Sequence, residues 1–349
     1  MPSAPLLQLD KLSTHYVSAA GTRVVRAVDE ISLTVDHGET LGIVGESGSG
    51  KSTLALTIMR VLPLAAKIVG GRMLFEGEDL VTKSDEEMRE VRGKRIAMIL
   101  QDPMASLNPL FTIGDQVAEP IRVHEGAKRG TAWDRAIGLL KSVRIPSPDT
   151  RVTQYPHEMS GGMRQRIVGA IGISCEPRLL IADEPTTSLD LTIQAQYLNL
   201  LRELQRAHGL ALIFITHNLG IVAKMCDKLA VMYAGRMVEY GPVSQIFNNP
   251  VHPYTRALLN AIPTMSNIDQ RLTAIEGQPP DLSALPQGCS FAARCPDAFD
   301  RCREQAPPEF ATAEGRTARC WLAPALAADA AAKRAGQGAP TLSLASGAA

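Results

Sequence analysis

The sequence predicts an α/β fold built on a parallel sheet, and three observations predict it. A short apolar run, "TLGIVG", leads into a glycine-rich turn and then into a helical pattern. Two further apolar runs, "RLLIADE" and "ALIFITH", flank the helical stretch "LTIQAQYLNLLRELQRAHG", a strand–helix–strand unit whose strands run parallel. Before these, "LLQLDKLSTHYV" and "VDEISLTVDHGE" alternate apolar and polar residues, the pattern of half-buried antiparallel strands.

The 349 residues suffice for one large domain with an appendage, or for two domains. From Lys51 the pattern "KSTLALTIMRVLP" is helical until Pro63; from about Ile113 to Arg144 helical spacing returns, with polar breaks around "EGAKRG", and reads as a helical insert. After about Asn249 the composition shifts to proline and isolated aromatics, which marks a second, smaller region. The alanine-rich stretch at 326–349 has little to bury and is expected to be disordered. Lysine plus arginine equals aspartate plus glutamate at 36 each, so no net field draws the chain to nucleic acid or anionic lipid. The N-terminus has no basic segment followed by an apolar run, and no run of about 18 apolar residues occurs anywhere, so a cytoplasmic chain is expected.

The strongest motif is "GESGSGKST", residues 45–53, which fits G-x-x-x-x-G-K-[ST] and lies between a strand and a helix as that motif requires. Gly45, Gly48 and Gly50 let the backbone turn and aim its amides at phosphate oxygens, with Glu46, Ser47 and Ser49 between them and Thr53 closing the motif. Lys51 is placed to reach the outer phosphates, and Ser52 to ligate magnesium. This is a P-loop of the nucleoside-triphosphatase kind. Such a loop needs an acid for the metal and a group to activate water, and Asp183 and Glu184 end an apolar strand with their side chains pointing apart.

The motif "EMSGGMRQR" at 158–166 precedes "RLLIADEPTTSLD", and "FITHNL" follows, so the chain resembles an ABC ATPase with its signature, Walker B, D-loop and H-loop. With "QDPMASLNP", "MYAGRMVEYG" and "NPVHPYTRALL", it resembles the ATP-binding subunits of oligopeptide, dipeptide and nickel importers from about residue 5 to 323. The resemblance implies a cassette over 5–249 with a helical subdomain at about 100–165, and an importer-type extension over 250–325. It implies that Gln101 senses magnesium and couples to the membrane subunit, that His217 touches the γ-phosphate, and that Asp190 communicates across a dimer. Ser160, Gly161 and Gly162 open a helix and form a second anion site, which in the family covers the nucleotide of a partner cassette. Tyr16, the only aromatic before Phe75, resembles the adenine-stacking residue of the family.

Three positions depart from the broad ABC pattern. Met159 and Met163 flank "SGG" where leucine and glutamine are usual, and Asn218 follows the histidine where aspartate is common. The resemblance implies an ATP- and magnesium-dependent hydrolase at the cytoplasmic face of the membrane that energises peptide uptake. The same machinery importing nickel or another small solute is an alternative, and an ABC-type ATPase acting on nucleic acid is another, for which a second cassette, a coiled-coil insertion or a basic run is not visible. The partners implied are a second ATPase subunit, as a heterodimer in preference to a homodimer, two membrane permease subunits and an extracytoplasmic solute-binding protein.

Four of the six cysteines, Cys289, Cys295, Cys302 and Cys320, fall near the end of the chain. A reducing compartment disfavours disulfides. Their spacing is too irregular for paired zinc knuckles, yet the count fits a structural metal, and four unrelated thiols are the plainer reading. The surrounding "LPQGCSFAARCPDAFDRCREQAPP" offers little apolar surface, Arg294, Arg301, Arg303 and Arg319 stand nearby, and similar cysteines recur in the peptide-importer branch. The expectation is a [4Fe-4S] cluster, with zinc or no metal as the alternatives.

Overall fold

The computed structural model describes residues 4–187, 189–262, 275–313 and 315–325; the stretch expected to be disordered lies outside them. The chain opens with β1 (Leu7–Val17) and β2 (Val24–Val35), then β3 (Thr40–Val44), α1 (Lys51–Met59), β4 (Ala66–Phe75), β5 (Glu78–Asp79), α2 (Asp85–Val91) and β6 (Ile96–Ile99). A helical stretch follows: α3 (Pro103–Ser106), α4 (Ile113–Glu125), α5 (Arg129–Ser142), α6 (Pro148–Arg151) and α7 (Gly161–Ile173). Then come β7 (Leu179–Asp183), α8 (Leu191–His208), β8 (Ala211–Ile215), α9 (Leu219–Met225), β9 (Lys228–Tyr233) and β10 (Arg236–Pro242). The chain continues through α10 (Val243–Asn248), α11 (Pro253–Asn260), α12 (Asp300–Glu304), β11 (Phe310–Ala313) and β12 (Arg316–Ala318).

Two sheets carry the fold. One is antiparallel in the order β2-β1-β4-β5, as the alternating segments predict. The other has the order β11-β12-β10-β9-β3-β8-β7-β6, in which β6, β7, β8, β3 and β9 run parallel to one another and the β9–β10, β10–β12 and β12–β11 pairs are antiparallel. Every residue of β3, β7 and β8 is buried, which is why they read as unbroken apolar runs. Leu41, Ile43, Leu54 and Ile58 pack between the sheets with Val28 and Phe75, each fully buried, worth about 1.5–3 kcal/mol per side chain. A second core joins α4, α5 and α7 to β7 and α8 through Ile113, Val117, Leu140, Ile167 and Leu201.

Helix α1 starts at Gly50 with no side-chain cap, whereas α7, α8 and α9 start at side-chain caps. Ser160 accepts from the Met163 amide at 3.3 Å and starts α7. Asp190 accepts from the Thr192 and Ile193 amides, both at 3.0 Å, and starts α8. Asn218 accepts from the Gly220 amide at 2.9 Å and starts α9, so the residue that departs from the usual aspartate here caps a helix.

The C-terminal region extends the main sheet instead of forming a separate unit on a metal. Tyr233 of β9, Tyr254 of α11 and Phe291 form a buried aromatic cluster with ring centroids 4.7, 5.2 and 5.4 Å apart, joined by His252. Buried Glu239 pairs with Arg316 at 2.6 Å and also accepts from the amides of Val251 and His252, both at 3.0 Å. Glu239 thus ties β10, β12 and the start of α11 together.

This arrangement corrects the expectation of an iron-sulfur or zinc site. Among the described residues no group of three or more His, Cys, Asp or Glu side chains is arranged to hold a metal ion. Cys289, Cys295, Cys302 and Cys320 border a cavity of only about 20 Å³, the room of one water. They are free; burial pushes the thiols of Cys289, Cys295 and Cys320 up, the last to about 11, and Cys289 and Cys295 pack beside the aromatic cluster while Cys320 packs with Val251, Ala318 and Ala323. The nearby arginines are engaged elsewhere. Arg294 pairs with Glu46, Arg301 stacks 3.6 Å from the Trp321 ring centroid, Arg303 lies 4.0 Å from Asp300, and Arg319 lies 3.8 Å from Glu30 and Glu309. The assumption that failed was that this region has little to bury.

Candidate functional site

The turn between β3 and α1 is forced into shape by its glycines. A Cβ on Gly45 (φ 155°) would stand 2.2 Å from the Met232 carbonyl oxygen, and one on Gly50 (φ 102°) would stand 2.0 Å from that of Ala27. Both neighbours are backbone and cannot give way, so the loop accepts only glycine there. Lys51 is buried, and its Nζ donates to the Gly45 and Glu46 carbonyls at 2.8 Å each and lies 3.4 Å from Ser49 Oγ. Burial lowers the Lys51 pKa, with Glu184, Asp183 and Glu46 opposing that effect.

Around this loop lies a cavity of about 590 Å³, into which Tyr16, Gln101, Glu184 and His217 also project. The sequence names all four, although they come from β1, the end of β6, the end of β7 and the end of β8. Glu184 is the centre of a polar cluster: Gln101 Nε2 donates to its Oε2 at 3.2 Å, Thr187 Oγ1 donates to the same oxygen at 3.0 Å, and His217 Nδ1 lies 3.4 Å away. Its backbone is left-handed at φ 45°, a strained conformation of the kind found at functional sites. A carboxylate held this way can orient a water molecule and accept its proton.

Asp183, one residue earlier, lies against Ser52. Its Oδ1 is buried without a partner among the described residues, and burial raises its pKa. An orphaned buried carboxylate oxygen beside a hydroxyl is a donor set that suits magnesium. Tyr16 lines the cavity and its hydroxyl lies 3.4 Å from Thr53 Oγ1.

Several expected residues do not line the cavity, among them Glu46, Ser49 and Asp183, and others were not expected. Ser160, Gly161 and Gly162 do not line it, so a single chain does not bring its own signature to its own P-loop. Asp190 lies outside it as the cap of α8. Val25, Ala27 and Leu282 line it and were not found in the sequence; nothing local marks Leu282, whose carbonyl accepts from the Arg26 amide at 3.1 Å. A second cavity of about 660 Å³, mainly apolar, lies alongside between α1, β6, α4 and α7, with Met98, Leu100, Val123 and Ile171 in its wall. No described helix is long and apolar enough to cross a membrane.

Comparison with known proteins agrees with this geometry. Residues 28–187 match the family "ABC transporter", and residues 238–302 match "Oligopeptide/dipeptide transporter, C-terminal region". The chain is 50% identical to the probable peptide ABC transporter ATP-binding protein y4tR of Sinorhizobium fredii over 318 residues, 90% of this chain and 94% of that one. It is 48% identical to the dipeptide transport ATP-binding protein DppD of Escherichia coli, over 90% of this chain and 96% of that protein. It is 46% identical to the oligopeptide transport ATP-binding protein OppD of Haemophilus influenzae, over 91% and 97%. Among solved structures, the dimeric post-hydrolysis state of the ATP-binding cassette MJ0796 bound to ADP and phosphate superposes with a TM-score of 0.61 at 24% identity, covering 68% of this chain and 98% of that one, and establishes the fold. The cbiO1 cassette of Clostridium perfringens gives 0.59 at 28% identity, covering 70% and 92%. A polar cavity on a P-loop, the strained Glu184 at its edge and these likenesses lead to one conclusion: the chain belongs to the ABC transporter family, as an ATP-hydrolysing, ATP-binding subunit that carries the oligopeptide/dipeptide C-terminal region.

Proposed function

We propose that this subunit energises the uptake of peptides through separate membrane subunits. The observation that carries this reading is the pairing of an intact nucleotide cavity with the C-terminal region, residues 238–302, that matches the oligopeptide/dipeptide transporters. The names of the relatives, peptide, dipeptide and oligopeptide ATP-binding proteins, support peptide as the cargo class.

In this reading Tyr16 stacks on the adenine, the amides and hydroxyls of residues 45–53 cradle the phosphates, and Lys51 leaves its carbonyl partners for the outer phosphates. Ser52, Asp183 and Gln101 would hold magnesium, which neutralises phosphate charge. Glu184 orients the attacking water and takes its proton, with Gln101, Thr187 and His217 fixing the carboxylate. Ser160–Gly162 does not line this cavity, which supports closure by a second cassette whose signature completes the site; that cassette is a distinct chain, and Asp190 lies at the contact. The membrane subunits dock a short apolar segment in the groove beside Leu100, since no described helix of this chain can cross a membrane. The chain then sits on the cytoplasmic face, with residues 5–249 as the cassette and 250–325 as the extension.

The test is reconstitution of the chain in proteoliposomes with the membrane subunits that co-purify with it, a second cassette and the solute-binding protein. ATP-dependent accumulation of a labelled di- or oligopeptide is expected, with the chain alone hydrolysing ATP poorly. ATP-dependent accumulation of nickel without any of peptide would contradict the cargo, and full activity with two copies of this chain would contradict the heterodimer.

A further inference from the structure

The C-terminal region reaches the phosphate-binding loop. Arg294 Nη1 and Nη2 donate to Glu46 Oε2 and Oε1 at 2.9 and 3.0 Å, a bidentate pair, although the two residues are 248 positions apart. The Arg294 side chain is 5% exposed and its other donors are occupied, Nε by the Glu276 carbonyl at 2.9 Å and Nη2 also by that of Ile275 at 3.2 Å. Nη1 also donates to the Tyr233 hydroxyl at 3.2 Å. The same glutamate is held by its backbone: its amide donates to the Tyr254 hydroxyl at 2.9 Å, and its carbonyl accepts from Lys51 Nζ at 2.8 Å.

Glu46 is the only acid in "GESGSGKST". Every other feature of that loop attracts anions, and a carboxylate within it repels the polyphosphate that the loop exists to bind. At an effective dielectric of about 20, one unpaired unit charge some 8 Å from another changes an affinity by roughly tenfold or more. We propose that Arg294 neutralises Glu46 and so makes the phosphate loop receptive to ATP, which makes it a positioning residue of the nucleotide site supplied by the C-terminal region. The proposal rests on the reading of residues 45–53 as the ATP site. It gives the extension a role at the nucleotide, and it accounts for a buried arginine paired with an acid 248 positions away.

ATP affinity of the full-length chain, measured by equilibrium titration, tests it in four variants. Arg294→Gln leaves Glu46 unpaired and is expected to weaken ATP binding about tenfold. In the Glu46→Gln background, adding Arg294→Gln is expected to change ATP affinity by less than about threefold, because removing the acid removes the need for its partner. Arg294→Lys keeps the cation but loses the bidentate fork, and is expected to bind ATP more tightly than Arg294→Gln. A merely structural role would weaken the double variant as much as Arg294→Gln, and that result overturns the proposal, as does normal binding by Arg294→Gln. Should Arg294→Gln not fold, the double variant decides: a tenfold loss relative to Glu46→Gln alone overturns it. A wild-type chain that binds no ATP would overturn the site assignment as well, so the two failures are told apart.

Discussion

Leu100 and Gln101 are neighbours in the chain, yet each faces a different cavity. Gln101 enters the polar cavity of about 590 Å³ at the P-loop, and Leu100 enters the apolar one of about 660 Å³ between the helical insert and the core. The polar cavity is built from backbone turns and charged groups held in strained or buried positions; the apolar one is built from side chains left uncovered, among them Leu100 at 43% exposure and Val123 at 69%. One suits a charged small molecule; the other is the groove proposed above for a segment of the membrane subunits. Because the two residues are adjacent, a backbone shift there that changed the Gln101–Glu184 contact would also move Leu100.

The largest expected effect falls on the polar cavity. Gly45→Ala drives a Cβ into the Met232 carbonyl, and the loop must deform. ATP affinity, measured by titration, is expected to fall by a hundredfold or more, on the order of the effect of misplacing binding groups by about an ångström. Wild-type affinity in that variant would mean that the loop is far softer than its geometry implies.

Leu100→Asp sharpens the comparison from the other side. A charge in the apolar wall is expected to leave ATP binding unchanged within about threefold while reducing co-purification of the membrane subunits by about tenfold or more, an effect of roughly 1.4 kcal/mol or greater. Loss of ATP binding in this variant would merge the two cavities into one site.

Much of the polar cavity was legible in the sequence, and little of its surroundings. The P-loop, Glu184 and His217 were readable, with Asp183 beside them, because phosphate chemistry needs particular groups at fixed short spacings, and each group sits at the end of a strand whose apolar run is itself readable. The apolar cavity has no such signal, because Met98, Val123 and Ile171 are ordinary apolar residues until the helices are placed. The C-terminal region failed for a related reason. Its aromatic cluster draws Tyr233, Tyr254 and Phe291 from three separate segments, so each reads as isolated, and the cysteines beside them were misread as the staple. Strands β11 and β12 are three or four residues long and carry little pattern of their own.

The smallest expected effect concerns the wall behind the polar cavity. His252 is fully buried, its Nδ1 accepts from the Tyr254 amide at 3.1 Å, and burial lowers its pKa from 6.5 to about 3. A histidine held neutral contributes stability that is present above about pH 6.5 and is lost as pH falls toward 3. The melting temperature is therefore expected to drop between pH 7 and pH 5, and His252→Asn, which keeps an acceptor for the amide but does not titrate, is expected to flatten that drop by a few degrees. An unchanged slope would place the acid sensitivity elsewhere.

The central claim is that Glu184, strained at φ 45° and held by Gln101, Thr187 and His217, activates the water that attacks ATP. Glu184→Gln keeps the size of the side chain and removes its basicity. In the assembled transporter, single-turnover hydrolysis by this variant is expected to fall by on the order of a hundredfold or more with ATP affinity within a few-fold of wild type; hydrolysis at the wild-type rate would contradict the claim.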